Sequence, residues 1–303
     1  MQFVLFLPQM RLTAAAIVER ARVAEAAGFH GIAFMDHLEP PLAERQPMFE
    51  AFSIATWVAA HTTTLHVSHL VLCDAFRHPA VLARQAASLQ AMSVGRFELG
   101  IGSGSWPDEF ARFGIQPDSA RDRTTRLGET LAVLRALWSN GTSDGIPGES
   151  FSYEGSHHRL AAAVQRPLPD PPIPIVIGGT GPRTMDLVAT YAQWWNLPVH
   201  RLDRLDALRA SAGDARISIQ QMIGFVADPA QRDAVEGVAR SRFGYQRDLL
   251  VGDRHQVLAR VEELRAQGVE RFYVWFTDFA DPRTLEAFGV DVINASERKD
   301  FRP

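Results

Sequence analysis

Eight short apolar runs, spread along the chain and separated by longer helical patterns, most constrain what this sequence can fold into. They fall at Phe3–Leu7, Gly31–Met35, Val67–Leu72, Phe97–Ile101, Pro174–Ile177, Trp194–Leu197, Ile217–Val226 and Arg271–Phe276. Most are apolar on both faces, as strands covered on both sides are. Between them Ile17, Ala21 and Ala24 recur at the i, i+4, i+7 spacing of an amphipathic helix, and Leu127, Leu131, Leu134 and Val257, Val261, Leu264 repeat it. Ala26-Ala27-Gly28 and Ala266-Gln267-Gly268 each close a helix shortly before a strand, where glycine supplies the left-handed cap. Strands alternating with helices predict an α/β fold, a (β/α)8 TIM barrel with insertions; a doubly wound open sheet is the competing arrangement.

The insertions stand out as long gaps. Residues 140–173 are rich in Gly and Pro and hold a hairpin from Phe151-Ser152-Tyr153-Glu154-Gly155 onward, while residues 36–50 and 227–251 are long segments after the second and seventh strands. With no low-complexity tract or linker, one domain over 1–303 is expected. Hydrophobic residues at 46% and charged residues at 22% describe a globular chain with a large core, not a disordered or fibrous one. A net charge of −4 provides no basic field for nucleic acid. The single cysteine, Cys73, allows no internal disulfide and no cysteine-rich zinc site. The opening Met1-Gln2-Phe3-Val4-Leu5-Phe6-Leu7-Pro8 lacks the basic flank and length of a signal peptide, and no apolar stretch is long enough for a membrane span, so a cytoplasmic location is expected.

Chemistry in such a barrel gathers where strands end. The second run ends Met35-Asp36-His37, a carboxylate placed to orient an imidazole, the side chain most suited to acid–base work; the alternative is a turn followed by a hydrogen-bonded loop histidine. The fourth ends Gly100-Ile101-Gly102-Ser103-Gly104-Ser105, whose glycines let backbone approach a planar ring or phosphate; the alternative is a tight strand-to-helix connection. It is no dinucleotide fingerprint, because the third glycine would fall on Ser105. The fifth ends Gly178-Gly179-Thr180-Gly181-Pro182-Arg183 and leads into a helix, an anion cradle that suits a phosphate-bearing cofactor. Other signals are weaker. His66 and His69 point to opposite faces of a strand and cannot chelate one ion, and His157-His158 reads as a solvated pair. Metal motifs and a GxSxG elbow are missing, so no metal site is expected. Trp194-Trp195 reads as core that could also wall a pocket.

These segments together resemble the luciferase-like oxidoreductases, a superfamily of (β/α)8 barrels, and most of all its deazaflavin branch, which uses coenzyme F-420. The resemblance runs through Phe3–Gln9, Ala26–Phe29, Met35–His37, Phe76-Arg77-His78-Pro79-Ala80, Gly95–Gly102, Ile177–Gly179 and Tyr191-Ala192-Gln193-Trp194-Trp195-Asn196. It implies that Asp36 and His37 face the reactive ring carbon, with His37 as acid or base. It implies a non-proline cis peptide at Leu70-Val71 against the ring, Ser103 and Gly104 lining that ring, and Gly178, Gly179 and Thr180 at the phosphate. Ser105 stands where some deazaflavin dehydrogenases place a glutamate as proton donor, so their sugar-phosphate oxidation is not transferred. Glu39 and Glu109 lie near in sequence. The expectation is hydride transfer between reduced deazaflavin and a small organic substrate in a homodimer, with segments 38–50 and 227–251 as substrate covers. The rivals are an FMN-dependent monooxygenase using oxygen and a non-catalytic binding barrel.

Overall fold

The structure is a computed structural model that describes residues 1–41, 43, 45–115, 119–139, 150–244 and 249–297. Its strands are β1 (Gln2–Phe6), β2 (Gly31–Phe34), β3 (His66–His69), β4 (Leu72–Cys73), β5 (Leu99–Gly102), β6 (Phe151–Glu154), β7 (Arg159–Ala163), β8 (Ile175–Gly178), β9 (Trp194–Pro198), β10 (Arg216–Phe225), β11 (Leu250–Gly252) and β12 (Val269–Phe276). The main helices are α1 (Ala14–Ala26), α2 (Ala51–Ala59), α3 (Pro79–Met92), α4 (Pro107–Arg112), α5 (Ala120–Trp138), α6 (Pro182–Tyr191), α7 (Leu205–Arg209), α8 (Arg232–Phe243), α9 (Arg254–Ala266) and α10 (Pro282–Phe288).

All pairings in the large sheet are parallel, in the order β3-β2-β1-β12-β10-β9-β8-β5-β4, with β11 added beside β10. The run expected as one third strand is broken: β3 pairs with β2, and beyond a bend at Leu70-Val71 β4 pairs with β5. A parallel bridge between Val67 and Phe97 then returns the sheet to its first edge. The nearly closed ring excludes the doubly wound alternative. Each of the eight expected runs contributes a strand.

Alternating side chains divide the core into two layers, as period-two strands must. Val4, Phe6, Ala33, Met35 and Tyr273 fill part of the barrel interior. Phe3, Leu5, Leu7, Ile32, Phe34, Phe272 and Val274 face the helices and pack with Ile17, Ala21 and Ala24 of α1 and with Val257, Val261 and Leu264 of α9. Thr13 caps α1 by accepting from Ala16 N–H at 3.1 Å, and Asp253 with Gln256 forms a capping box on α9. Gly28 and Gly268 take φ of +90° and +78°, the left-handed conformation expected after these two helices.

The anticipated hairpin is β6–β7; residues 140–149 of that insertion lie outside the described residues, as do 245–248 of segment 227–251 and 42 and 44 of segment 36–50. Among the described residues no helix is long and apolar enough to cross a membrane.

Candidate active site

The C-terminal ends of β2, β4, β5 and β8 surround a cavity of about 280 Å³ lined by Asp36, His37, Leu70, Val71, Ser103, Gly104, Glu109 and Gly178, among others. His37 follows β2. Its Nδ1 lies 3.0 Å from Glu109 Oε2, while Glu109 Oε1 accepts the Leu38 and Glu39 N–H groups at 2.6 and 3.2 Å. Glu109 sits in the first turn of α4, only 4% exposed, so this carboxylate is committed to the loop that carries His37. A carboxylate can only accept, so Nδ1–H donates, and in the neutral ring this tautomer puts the lone pair on Nε2. Trp106 sets its ring edge-on to the imidazole at 5.7 Å, and Glu39 pairs with Arg112 at 2.6 Å on the rim.

Asp36 does not orient His37, as the sequence suggested it would. Its Oδ2 accepts from Cys73 N–H at 2.7 Å and Arg77 Nη1 at 2.5 Å, and its Oδ1 from Arg77 Nη2 at 3.0 Å. Successive residues leaving β2 point different ways, so Asp36 reaches β4 and Arg77 while His37 turns to α4. Arg77 also reaches Glu50 at 2.6 Å, and Glu50 caps α2 through Phe52 and Ser53 N–H. Burial works to raise the Glu50 pKa, but those hydrogen bonds and Arg77 outweigh it and hold the carboxyl at about 2.

Leu70-Val71 is a cis peptide, where the resemblance placed one, and both residues line the cavity. The bend presses on the neighbouring strand. A Cβ at Gly100 would overlap the His69 carbonyl oxygen, and one at Gly102 would lie 2.8 Å from Val71 Cγ2. Gly104, at φ +78°, would bring a Cβ to 2.5 Å from Phe110 and 2.8 Å from Cys73 Sγ. Burial pushes the Cys73 thiol up to about 12, so it stays protonated at the cavity wall.

The third loop is more peripheral. Gly178 lines the cavity, whereas Gly179 and Thr180 continue past it toward α6. Gly179 has φ +127°, and Trp195 Nε1–H donates to its carbonyl at 2.8 Å, fixing the loop from within the core. Gly181 is the N-cap of α6 with no side chain to cover the first turn, and Pro182 opens the helix, which leaves an anion-compatible N-terminus.

Several expected features lie elsewhere. Helix α8, from segment 227–251, borders a different cavity of about 500 Å³ with Phe225, Arg242 and Asp278, between the ends of β10 and β12; that larger space lacks the histidine and the glycine loops. His69 is fully buried against α2, its Nε2 3.1 Å from the Ala51 carbonyl, while His66 faces the opposite end of the barrel from the cavity. His158 is not simply solvated: its Nε2 lies 3.0 Å from Thr130 Oγ1, and Glu129 accepts the N–H groups of Ser156, His157 and His158. Sequence reading missed Trp106 and Arg77 as site neighbours and left Glu109 unoriented. Trp106-Pro107-Asp108-Glu109 is a helix start, with proline at its first position and acids in the first turn, and would have pointed Glu109 at the rim.

Comparison with known proteins agrees with this architecture. The model of the luciferase-like monooxygenase family matches residues 1–243. An uncharacterized protein of Mycobacterium tuberculosis (strain ATCC 25618 / H37Rv) is 28% identical over 259 residues, 77% of this chain and 83% of that protein. An F420-dependent glucose-6-phosphate dehydrogenase of Tsukamurella paurometabola is 34% identical over 182 residues, 58% of this chain and 49% of the dehydrogenase. Among solved structures, an F420-dependent secondary alcohol dehydrogenase in complex with an F420-acetone adduct superposes with a TM-score of 0.81 at 17% identity, covering 96% of this chain and 98% of that one. The chain belongs to the luciferase-like monooxygenase family, whose barrel carries oxidoreductase chemistry.

Proposed function

We propose that this oxidoreductase transfers a hydride between coenzyme F-420 and a small organic substrate, with His37 as the acid–base group. The observation that carries the reading is the His37–Glu109 pair in a cavity walled by glycines. The 3.0 Å bond at Nδ1 leaves Nε2 as the atom that gives or takes a substrate proton. The residues fit a planar tricyclic cofactor: Gly102 and Gly104 remove the side chains that would fill the wall, and Leu70 and Val71 present backbone and apolar atoms to the same space. Ser103 and Gly104 would border the ring, and Gly178, Gly179 and Thr180 with the start of α6 would hold the phosphate. When bound, reduced deazaflavin supplies the two electrons and hydrogen of a net hydride transfer. Glu109 fixes the imidazole and Trp106 shields it, so the pocket positions the proton relay before substrate arrives.

A second reading is favoured by the family description itself: a monooxygenase working with reduced FMN and oxygen. The phosphate cradle suits either cofactor. An anaerobic titration of the purified protein with reduced F-420 and, separately, with reduced FMN distinguishes them, followed by admission of air. Tight F-420 binding without faster reoxidation is the expected result. Preference for FMN with an oxygenated flavin signal overturns the first reading and establishes the second.

A further inference from the structure

At the N-terminal mouth of the barrel, opposite the cavity, His30, His66 and Glu98 converge. They stand immediately before or at the start of β2, β3 and β5. Backbone bonds fix them as neighbours: His30 N–H donates to the Phe3 carbonyl at 2.8 Å, His66 N–H to His30 at 3.1 Å, and Glu98 N–H to Val67 at 3.0 Å. His30 Nε2 and His66 Nδ1 each lie 3.6 Å from Glu98 Oε1, and the three atoms all fall within 4.8 Å of one another. Among the described residues this is the one group of three such side chains so placed.

We propose that His30, His66 and Glu98 form a binding site for a divalent transition-metal ion of the zinc, cobalt or nickel class. The two separations to Glu98 are close to the roughly 3.4 Å that bonds of about 2.1 Å at tetrahedral angles impose, and the two imidazoles, stacked at 4.3 Å and 23°, would turn about their side-chain torsions to bring both lone pairs onto one ion. His66 Nδ1 is buried and has no hydrogen-bond partner, so its lone pair or proton is unused. Two imidazoles with one carboxylate select borderline transition metals over magnesium or calcium. Arg271 donates to both Glu98 oxygens, at 2.5 and 2.9 Å, and lies under the Trp194 ring, so the carboxylate is oriented from behind as metal-bound carboxylates usually are. The guanidinium also offsets part of the charge an ion would feel, which marks an auxiliary site rather than one the fold depends on.

The imidazoles are about 30% exposed, so an ion can enter from solvent. Its position has a structural meaning. The barrel closes between β3 and β5 through the Val67–Phe97 bridge, and the ion would tie His66 on one side of that seam to Glu98 on the other. A ligand of the folded chain alone stabilises it by mass action.

The test uses the untagged, chelator-treated full chain, titrated with cobalt(II) chloride and followed by visible absorption and by metal analysis after equilibrium dialysis. About one equivalent should bind per chain, with a tetrahedral cobalt spectrum and a rise in Tm. His30→Gln and His66→Gln should each weaken binding at least tenfold and abolish the Tm rise, and magnesium chloride should give neither effect. Glu98 is left in place because its removal would strand Arg271. As a check that needs no variant, cobalt should broaden the imidazole resonances of two histidines above all others in the unsubstituted protein. Absence of binding, binding undiminished in both variants, or broadening centred on other histidines overturns the site.

Discussion

Replacing Glu109 by Gln tests the heart of the pocket without needing to know the substrate. The carboxylate accepts from His37 Nδ1, Leu38 N–H and Glu39 N–H at 3.0, 2.6 and 3.2 Å, and the residue is 4% exposed. Glutamine keeps the shape and one acceptor oxygen. With that oxygen on the two backbone donors, its amide NH2 must face His37, so Nδ1 becomes the acceptor and the imidazole proton moves to Nε2. Hydrogen bonds to a charged group contribute about 1.5–3 kcal/mol and neutral ones about 0.5–1.5, so losing the charge across these contacts should cost about 2–3 kcal/mol. At roughly 2 °C per kcal/mol for a chain of this size, Tm falls by about 5 °C. Long-range proton–nitrogen NMR reads the tautomer directly, with the His37 signals assigned by their loss in His37→Gln. The expected outcome is a proton on Nδ1 in the native chain and on Nε2 in Glu109→Gln. An unchanged tautomer, or a native proton already on Nε2, would refute the assigned roles. Once turnover is established, the wrong tautomer should lower it by about 10²–10⁴-fold, the usual worth of a positioned acid–base group.

Three further outcomes are expected. Asp36→Ala removes the carboxylate beneath Arg77, whose side chain is 12% exposed and among the described residues keeps only the Glu50 carboxylate, so urea unfolding should show a loss near 3 kcal/mol; a loss under about 1 kcal/mol would mean the pair does not hold the loop. Gly104→Ala places a methyl 2.5 Å from Phe110 at φ +78°, combining left-handed strain of about 1–2 kcal/mol with overpacking of about 1–3 kcal/mol, and should lower both Tm and cofactor affinity. Burial lowers the His69 pKa from 6.5 to about 4, so below pH 6.5 the unfolded chain takes up a proton that the native chain refuses. Stability from this group is therefore complete above 6.5 and falls with pH, by about 2 kcal/mol at pH 5, and urea midpoints of His69→Gln should show a correspondingly shallower decline.

The barrel was readable because its determinants are local. Strands apolar on both faces, helices with one apolar stripe and glycines at left-handed caps each report on a few consecutive residues. The same holds for the strand-end residues, since position along the chain already places Asp36, His37, Ser103, Gly104 and Gly178 at one mouth. Which side chain meets which was not readable. His37 and Glu109 are 72 residues apart, and choosing between Asp36 and Glu109 as the partner of the imidazole depends on how two loops from different strands approach. Adjacency in sequence favoured Asp36, and the opposite directions of consecutive side chains undid it. His30, His66 and Glu98 were hidden for the same reason: comparing His66 with His69 correctly separated those two, but the partners of His66 come from neighbouring strands.

The glycines after β5 show why such a motif resists a single meaning. Read alone, Gly100, Gly102 and Gly104 suggest a backbone cleared for a ring. Gly100 is demanded by the His69 carbonyl and Gly102 by Val71, both belonging to the bent third strand, so these two are consumed in letting β5 lie against that bend. The bend is also what brings Leu70 and Val71 to the cavity wall. Packing and binding thus place the same demand on the same residues, and a larger side chain at Gly102 would push back the wall rather than merely narrow the pocket. Gly104 is different: its constraint comes from Cys73 and from Phe110 of α4, which line the same cavity, so it reports on how tightly α4 is drawn in. Because α4 carries Glu109, a change at Gly104 that displaces the helix should also loosen the His37 hydrogen bond at 3.0 Å. The two loops are then one mechanical unit, and the tautomer of His37 in Gly104→Ala measures it: retention of the Nδ1 proton despite a fall in Tm would separate them.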